Sequence, residues 1–446
     1  MYVDDVVAWL RGHEWLVQNG YHPRYHAVLC DPPYFLGSIV KRFGKPDSAP
    51  AQYGTDGAFQ RASRGFMGQT WDGFESPWHY QEWVTEWATL LLSFVYPGAV
   101  LLAFGGTRTF HRLAAGLEDA GWIIADTIAW ITGQGFPKSH NGRNWDAGEH
   151  WHGYGTALKP AWEGVVVARA PWRGTYAALA REFGTGAINV DGGRIQFANN
   201  EPYSIDERCR PNTRGTKRKP SVVDYVHEIA AVNVSHFGRW PANLILGCAC
   251  ESAEHDADCP VRLLGEQSGE RDGGGAIVDP PSTSALFGGH GRPSRPAMAD
   301  SGTAARFFFK AKAAAWEREA GLTTRSHHPT MKPIALTEYL ARLLLPPPLQ
   351  EPRRLLIPFA GSGSEMIGAR LAGWDVIDGI EQSAEYADIA RARLAWWSQF
   401  SSYEQARSAA GADKREAAER DEARALGVEQ LALFDSGGET CYTGGD

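Results

Sequence analysis

Short apolar runs alternate with stretches of helical spacing over the first third of the chain. A short continuous apolar run is typical of a buried strand, whereas apolar residues that recur every three or four positions indicate an amphipathic helix. The predicted strands cover residues 27–30, 99–104 and 122–131, and the predicted helices cover residues 4–20, 79–95 and 108–120. Because strand and helix alternate regularly, we predict an α/β fold with a doubly wound sheet.

The same alternation returns near the C-terminal end of the chain. A strand that begins at Leu355 runs into a glycine-rich turn, and a second strand covers residues 375–380. The predicted helices here cover residues 334–345, 365–372 and 383–399. Residues 402–428 are charged and alanine-rich, and we interpret them as a helical or frayed extension before a disordered end at 436–446.

Between residues 138 and 325 clear periodicity is scarce, and glycine, proline, tryptophan and arginine are frequent. Two strand-like pieces stand out at 163–168 and 242–246, and residues 304–320 are predicted to form a helix. The long segment 37–73 is rich in Gly, Ser, Ala and basic residues, and loops of this length are usually functional or disordered. We interpret it as a mobile flap.

Composition sets the class of protein before any motif is considered. The chain has 446 residues, enough for more than one domain. It contains no apolar run of about 18 residues that would span a membrane. Its start lacks the basic residues of a signal peptide, and its six cysteines show no regular framework. We therefore expect a cytoplasmic protein in a reducing compartment, with no membrane partner.

The net charge of −8 hides a local concentration of positive charge. Residues 208–219 contain six basic side chains and no acidic one: Arg208, Arg210, Arg214, Lys217, Arg218 and Lys219. Binding to phosphates needs a basic patch rather than a basic whole protein. This run is either a DNA contact or a solvated loop.

A carboxylate followed by two prolines ends the first predicted strand, in the tetrapeptide Asp31-Pro32-Pro33-Tyr34. Proline cannot extend a strand ladder, so the chain turns there and holds Asp31 and Tyr34 at a strand end. That is where ligands bind in open α/β sheets. A carboxylate, a proline carbonyl and an aromatic ring can together grip a flat base that carries an amino group. No nearby His or Lys suggests a structural ion pair for Asp31.

The turn after Leu355 has the sequence Phe359-Ala360-Gly361-Ser362-Gly363 and precedes a helix. Glycines allow close approach of the backbone to a ligand, and the helix start offers free N–H groups. Glu381 follows about 20 residues later, at the end of the next strand, where an acidic residue suits a ribose. The spacing is not the full dinucleotide fingerprint, so alone this pattern indicates a nucleotide site only weakly, and a dinucleotide-dependent oxidoreductase is one alternative.

Taken together, these two stretches and the sequence His328-Pro329-Thr330-Met331-Lys332-Pro333 resemble the amino-methylating DNA methyltransferases. Asp31 to Tyr34 resembles the catalytic motif of that family, and Phe359 to Gly363 resembles its S-adenosylmethionine motif. The catalytic motif comes first here, with a long segment between the two. That order resembles the β class, in which a target-recognition region is inserted between the halves.

The resemblance implies a division of the chain and a set of roles. The catalytic half would cover residues 1–137, the inserted recognition region 138–325, the S-adenosylmethionine half 326–400 and a tail 401–446. The cofactor would be bound by Phe359, Gly361, Gly363, Glu381, Thr330 and Lys332. Lys332 would neutralise the carboxylate of the cofactor. Lys138, in a loop that is common in phage-type members, and Arg214, Lys217, Arg218 and Lys219 are the candidate DNA-binding residues.

The resemblance also implies a reaction. The enzyme would flip a base out of double-stranded DNA, and Asp31 and the Pro32 carbonyl would bind its exocyclic amine while Tyr34 stacks on it. Adenine enzymes of this family tend to carry Asp or Asn at the position of Asp31, so we predict adenine-N6 methylation, with cytosine-N4 as the alternative. An RNA or protein-glutamine methyltransferase and a decayed DNA-binding protein remain as further alternatives.

Partners and metal ions complete the expectations. Relatives of the β class often dimerise, so we expect a homodimer in a bacterial or phage-encoded system, with or without a restriction endonuclease partner. The reaction requires no metal. Four zinc-binding side chains nevertheless fall within twelve residues: Cys248, Cys250, His255 and Cys259. Their spacing differs from the common Cys-x2-Cys pair, so free thiols and a zinc site both remain open.

Overall fold

The structure is a computed structural model. It describes residues 1–35, 74–133, 139–196, 238–270, 302–322 and 331–411, apart from residues 249, 251–254, 256, 258, 313 and 315. The expected flap at 37–73, the basic run at 208–219 and the tail after 411 lie outside the described residues.

Nine strands form one sheet. They are β1 (Tyr2–Val3), β2 (Tyr25–Cys30), β3 (Val95–Gly105), β4 (Ile123–Ile131), β5 (Trp162–Arg169), β6 (Leu244–Cys248), β7 (Phe309–Lys312), β8 (Arg354–Pro358) and β9 (Val376–Glu381). Their spatial order is β1-β9-β8-β2-β3-β5-β4-β6-β7. β5 runs antiparallel to both of its neighbours, and every other pair in this sheet is parallel.

Ten helices connect or flank the strands in the described part of the chain. They are α1 (Val6–Gln18), α2 (Pro77–Leu91), α3 (Phe110–Asp119), α4 (Tyr176–Glu182), α5 (Pro260–Ser268), α6 (Trp316–Glu319), α7 (Ile334–Leu344), α8 (Ser364–Ala372), α9 (Ala384–Trp397) and α10 (Tyr403–Ala409). Short 3₁₀ turns cover Leu92–Phe94, Gly142–Asn144, Glu149–Trp151, Asp191–Gly193 and Ala304–Phe307. No helix in these residues is long and apolar enough to cross a membrane.

The centre of the sheet is covered on both faces, which explains why a central strand such as β2 is buried at every position. Side chains alternate between the two faces of a strand. Val28 and Cys30 of β2 therefore pack into one core with α1, α2 and α3, while Ala27 and Leu29 pack into the other with α7 and α8. This is the doubly wound arrangement that the sequence predicts.

The first and last parts of the chain meet at the centre of the sheet. Ala27 and Val28 of β2 pair with Leu355 and Leu356 of β8. Parallel strands end at the same edge of a sheet, so the turns that follow β2 and β8 lie side by side. The two motifs recognised in the sequence are thus brought together by direct strand pairing.

The predicted helix at 304–320 is wrong. The structure has a 3₁₀ turn, then β7, then the short helix α6. The alanines favour a helix, but Phe307, Phe308 and Phe309 are typical of strands, and pairing of Phe309–Lys312 with β6 decides the outcome.

The predicted boundary at residue 138 does not coincide with a boundary of the sheet. β5, β6 and β7 all come from the segment 138–325, yet each belongs to the central sheet. β5 lies between β3 and β4 and is buried over most of its length. The segment 138–325 therefore contributes three strands to the central sheet, and the recognition region within it stays a prediction.

Candidate active site

A cavity of about 330 Å³ opens at the edge of the sheet where β2, β8 and β9 end. This volume is within the ~300–1,000 Å³ range of small-molecule pockets. Its lining includes both recognised motifs. The lining residues include Asp31, Pro32, Pro33, Tyr34, Glu163, Lys332, Phe359, Gly361, Glu365 and Glu381.

Asp31 leaves the end of β2 and is held by two donors. The Tyr34 hydroxyl donates to its Oδ1 at 2.7 Å, and the Lys332 ammonium donates to its Oδ2 at 2.7 Å. The side chain of Asp31 is 16% exposed and that of Lys332 only 6%. Each carboxylate oxygen retains a second lone pair, so Asp31 can still accept a hydrogen bond from a bound molecule.

This geometry corrects one expectation from the sequence, because Asp31 does have a basic partner. Lys332 forms an ion pair with it from 301 positions away. Lys332 also lies near Glu163, whose Oε2 is 3.5 Å from its Nζ, and its expected role at the carboxylate of the cofactor stays a prediction. Neighbours in sequence could not reveal either contact.

Glu163 is a site residue that the sequence analysis missed. It lies near the start of β5, and its Oε2 is 3.0 Å from the Tyr34 hydroxyl. Because β5 is antiparallel to β3, the beginning of β5, rather than its end, lies at the edge of the sheet where the cavity opens. The single Tyr34 proton can bond to Asp31 or to Glu163, and the Tyr34 oxygen accepts from Lys332 at 3.0 Å.

The charges of the cavity act on each other strongly because they are buried. Burial alone would lower the pKa of Lys332, but the charges of Asp31 and Glu163 outweigh it and raise that pKa above its usual value. Burial and the charge of Asp31 raise the pKa of Glu365. Lys332 therefore remains positively charged at physiological pH, beside more carboxylates than it can neutralise.

Gly106 allows Tyr34 to take its position. A Cβ atom at Gly106 would lie 3.0 Å from Cδ2 of the Tyr34 ring, closer than side chains normally approach. The Thr109 hydroxyl also donates to the Tyr34 carbonyl. The turn after β3 thus holds the catalytic loop in place.

On the other side of the cavity, Glu381 organises the glycine turn. Its Oε2 accepts from the Gly361 N–H at 2.8 Å, and its Oε1 accepts from the Ser383 N–H at 2.8 Å. Burial raises the pKa of Glu381, against the effect of these bonds. Both oxygens still have a lone pair for a ligand hydroxyl.

Each motif contains or adjoins one residue in a strained backbone conformation. Phe35 and Phe359 are the two non-glycine residues with positive φ among those described, at 51° and 64°. Such conformations cost of order 1–3 kcal/mol and cluster at functional sites. The Phe359 ring packs 5.5 Å from Trp83 and 5.6 Å from Trp87, which holds it against the cavity.

Comparison with protein families identifies the chain. The model of the N6/N4 DNA methylase family matches residues 25–264, which is more than half of the sequence. The chain belongs to the N6/N4 DNA methylase family. It is a DNA methyltransferase, and the methyl donor of this family is S-adenosylmethionine. A search of curated proteins finds no significant match.

Several solved structures are distantly similar to this DNA methylase. One is M1.HpyAVI in complex with SAM, at 13% identity and a TM-score of 0.34, covering 88% of this chain and 98% of that one. Another is a putative DNA modification methylase from Thermus thermophilus, complexed with S-adenosyl-L-methionine, at 13% identity, a TM-score of 0.34 and coverages of 89% and 93%. A third is PvuII DNA methyltransferase, described as cytosine-N4-specific, at 11% identity, a TM-score of 0.37 and coverages of 88% and 85%. Likeness at this level assigns no role to any residue of this chain.

The structure brings most of the predicted site residues together. Asp31, Pro32, Pro33, Tyr34, Lys332, Phe359, Gly361 and Glu381 all line the cavity. Gly363 lies just behind it as the N-cap of α8, with φ of 82°. Thr330 and the predicted DNA-binding residues Lys138, Arg214, Lys217, Arg218 and Lys219 lie outside the described residues.

The three cysteines and one histidine singled out in the sequence are also brought together, at a second place. One ligand atom from each of Cys248, Cys250, His255 and Cys259 lies within 4.8 Å of the others. This cluster is separate from the cavity, since none of its members lines it.

Proposed function

We propose that this DNA methylase transfers the methyl group to the N6 amine of adenine in double-stranded DNA. The observation that carries the proposal is the position of Asp31, fixed by Tyr34 and Lys332 at the mouth of a cavity that the glycine turn also lines. The target base would have to leave the duplex to reach it, as in other enzymes that act on bases.

The cavity residues fit S-adenosylmethionine. Bound there, S-adenosylmethionine supplies a methyl group on a positively charged sulfonium. Glu381 has free lone pairs for a ribose hydroxyl, and the aromatic rings of Phe359 and Trp83 offer apolar contact for an adenine ring. Asp31 and Glu163 together carry more negative charge than Lys332 balances, which favours a cationic ligand.

Asp31 is the proposed catalytic residue. An exocyclic amine is a poor nucleophile because its lone pair is delocalised into the ring. Hydrogen bonds from the amine to Asp31 and to the Pro32 carbonyl would localise that lone pair on nitrogen. Lys332 and Tyr34 act by orienting the Asp31 carboxylate, and the Tyr34 ring would stack on the base. Catalysis would then rest on positioning and electrostatics.

Adenine is favoured over cytosine by one residue. Cytosine-N4 enzymes that share this motif tend to have Ser at its first position, whereas this chain has Asp31. A carboxylate is a stronger acceptor than a hydroxyl and suits the less reactive amine of adenine. Tritiated S-adenosylmethionine and duplex DNA, followed by digestion and separation of nucleosides, test this choice. Label in methylated cytosine alone would replace adenine-N6 with cytosine-N4 methylation.

Substitution of Asp31 by Ala tests the mechanism. The variant should still bind S-adenosylmethionine and DNA, with a modest loss of cofactor affinity from the missing negative charge, while methyl transfer falls roughly 100-fold or more, because a charged hydrogen bond to the transition state is removed. The exposed carboxylate of Asp126, on β4, provides the matched control Asp126→Ala, which should retain full activity. Near-normal turnover by Asp31→Ala would rule out the assigned role.

The remaining expectations stay proposals. We propose a cytoplasmic homodimer that acts on DNA, with or without a restriction endonuclease partner. Support for the dimer is the resemblance to the β class. Sedimentation equilibrium of the purified protein tests it, since a single monomeric species up to micromolar concentration would contradict it. Transfer of label to RNA or to a protein glutamine, but not to DNA, would instead favour the alternative substrates.

A further inference from the structure

The cluster of Cys248, Cys250, His255 and Cys259 has the ligand chemistry of a metal site. Three thiols and one imidazole form the Cys3His set that binds structural zinc. All four ligand atoms lie within 4.8 Å of one another, although the residues span twelve positions of the sequence. All three sulfurs are free of disulfide bonds.

The separations match those around a tetrahedral zinc ion. With Zn–S near 2.3 Å and Zn–N near 2.0–2.1 Å, sulfur and nitrogen ligands lie about 3.5 Å apart and two sulfurs about 3.8 Å apart. The Nδ1 atom of His255 is 3.3 Å from the Cys248 sulfur and 3.6 Å from the Cys259 sulfur. A small movement of the side chains would therefore complete the tetrahedron.

The surroundings are those of a closed, structural site. Cys248, Cys250 and Cys259 are 8%, 2% and 4% exposed, and they pack against apolar residues that include Leu246 and Val261. Four protein ligands would leave no open position for a substrate or water, unlike a catalytic zinc. The cluster is therefore suited to hold structure together rather than to catalyse a reaction.

The first and last of the four candidate ligands, Cys248 and Cys259, adjoin regular elements of the fold. Cys248 is the last residue of β6, and Cys259 is the N-cap of α5, where its side chain makes no capping hydrogen bond. An ion bound here would tie the start of α5 to the end of β6.

We propose that Cys248, Cys250, His255 and Cys259 bind one structural Zn²⁺ ion. β3 and β4 both run antiparallel to β5, so they are parallel to each other, and β6 is parallel to β4. β2 is parallel to β3. Cys248, at the end of β6, therefore lies at the same edge of the sheet as Asp31, which follows β2. Four strand spacings separate β2 from β6, or roughly 19 Å. The zinc would thus stabilise a part of the edge that also holds the active site, without joining the reaction.

Metal analysis of the full-length protein, purified under reducing conditions without chelator, tests the proposal. We expect about one zinc ion per chain. His255→Ala and Cys259→Ala should each lose the metal, while His255→Cys should retain it, because a fourth thiolate also completes a tetrahedral site. Cys30→Ala removes a buried cysteine of β2 outside the cluster and is the matched control, which should keep its zinc.

A second measurement does not depend on the folding of variants. Wild-type protein from which the metal has been removed is titrated with Co²⁺, whose visible absorption reports tetrahedral thiolate coordination. Saturation at about one Co²⁺ per chain, reversed by Zn²⁺, is the expected result. Protein that contains no zinc and shows no thiolate absorption with Co²⁺ would overturn the proposal. A disulfide among these cysteines in freshly isolated protein would overturn it as well.

Discussion

At the scale of single residues, the buried ammonium of Lys332 controls the charge of the cavity. It lies 2.7 Å from Asp31 and 3.5 Å from Glu163, and the described residues that line the cavity include no second cation to replace it. Burial raises the pKa of Glu365, the charge of Lys332 opposes that rise, and the Lys332 ammonium donates to Oδ2 of Asp31. The proposed orientation of the Asp31 carboxylate therefore depends on Lys332.

Substitution of Lys332 by Met should move the acid limb of the rate profile. Without the cation, the pKa of the buried Glu365 should rise, so methyl transfer should fall at neutral pH and recover as the pH rises. We expect the limb to shift upward by about one to two units. Lys332→Arg keeps the charge and is the control. If Lys332→Met lost activity at every pH and the acid limb of its rate profile stayed at the wild-type pH, the result would contradict this role.

The glycine turn offers a second test at this scale. Gly361 has φ of 49°, a conformation that a β-branched side chain adopts only with strain, so Gly361→Val should abolish cofactor binding. Glu381→Ala should weaken binding by about 1–3 kcal/mol, since it removes a charged hydrogen bond. Calorimetric titration with S-adenosylmethionine, and with NAD for comparison, measures both. Unchanged affinity in folded variants would place the cofactor elsewhere.

Local sequence was sufficient for some of these residues and insufficient for others. Asp31, Gly361 and Glu381 could be predicted because each follows an apolar strand and belongs to a short motif. Glu163 belongs to no such motif, and it reaches the site only because β5 runs against its neighbours. The Asp31–Lys332 ion pair depends on pairing of β2 with β8, which no local pattern reports.

At the scale of elements, the pairing of β2 with β8 is supported by one side-chain contact. Nδ1 of His26 accepts from the Arg354 N–H at 3.0 Å, which requires that nitrogen to be unprotonated. Burial lowers the pKa of His26 to about 4. The contact therefore links the two motif-bearing strands only while His26 is neutral.

His26 should make stability depend on pH. Its folded pKa is below the unfolded value of about 6.5, so its contribution is fully present above pH 6.5 and is lost as the pH falls towards 4. The loss should be on the order of 2 kcal/mol after allowance for solvent screening. His26→Gln keeps an acceptor without titrating, and its urea unfolding should vary less over this range. An identical pH dependence in both proteins would contradict the prediction.

Elements were predicted well where local pattern and tertiary structure agree. The strand at 27–30 and the helices at 79–95 and 334–345 are confirmed as β2, α2 and α7. The helix predicted at 304–320 is wrong because Phe309–Lys312 pair with β6 as a strand instead. The intrinsic helix propensity of the alanines in this segment is a weak effect, and hydrogen bonding in the sheet outweighs it.

At the scale of the whole molecule, the protein and its DNA substrate both carry net negative charge. The net charge is −8, so binding to DNA depends on local basic patches. The run at 208–219 remains the strongest candidate from the sequence. Joint replacement of Arg214, Lys217, Arg218 and Lys219 by Gln should weaken DNA binding. The slope of log binding constant against log salt concentration should become less steep by ~0.9 for each phosphate that is no longer neutralised. An unaltered slope in the quadruple variant would show that the run is a solvated loop.

Pairing of β2 with β8 also has a consequence for synthesis on the ribosome. His26 and Arg354, which meet across these strands, are 328 positions apart. At roughly 5–20 residues per second, translation needs about 15 to 65 s between them. During that interval β2 has emerged but lacks one of its two neighbours, and an apolar strand with an open edge invites pairing with other chains. Slower initiation or added chaperones should therefore raise the yield of active enzyme more than slower elongation does.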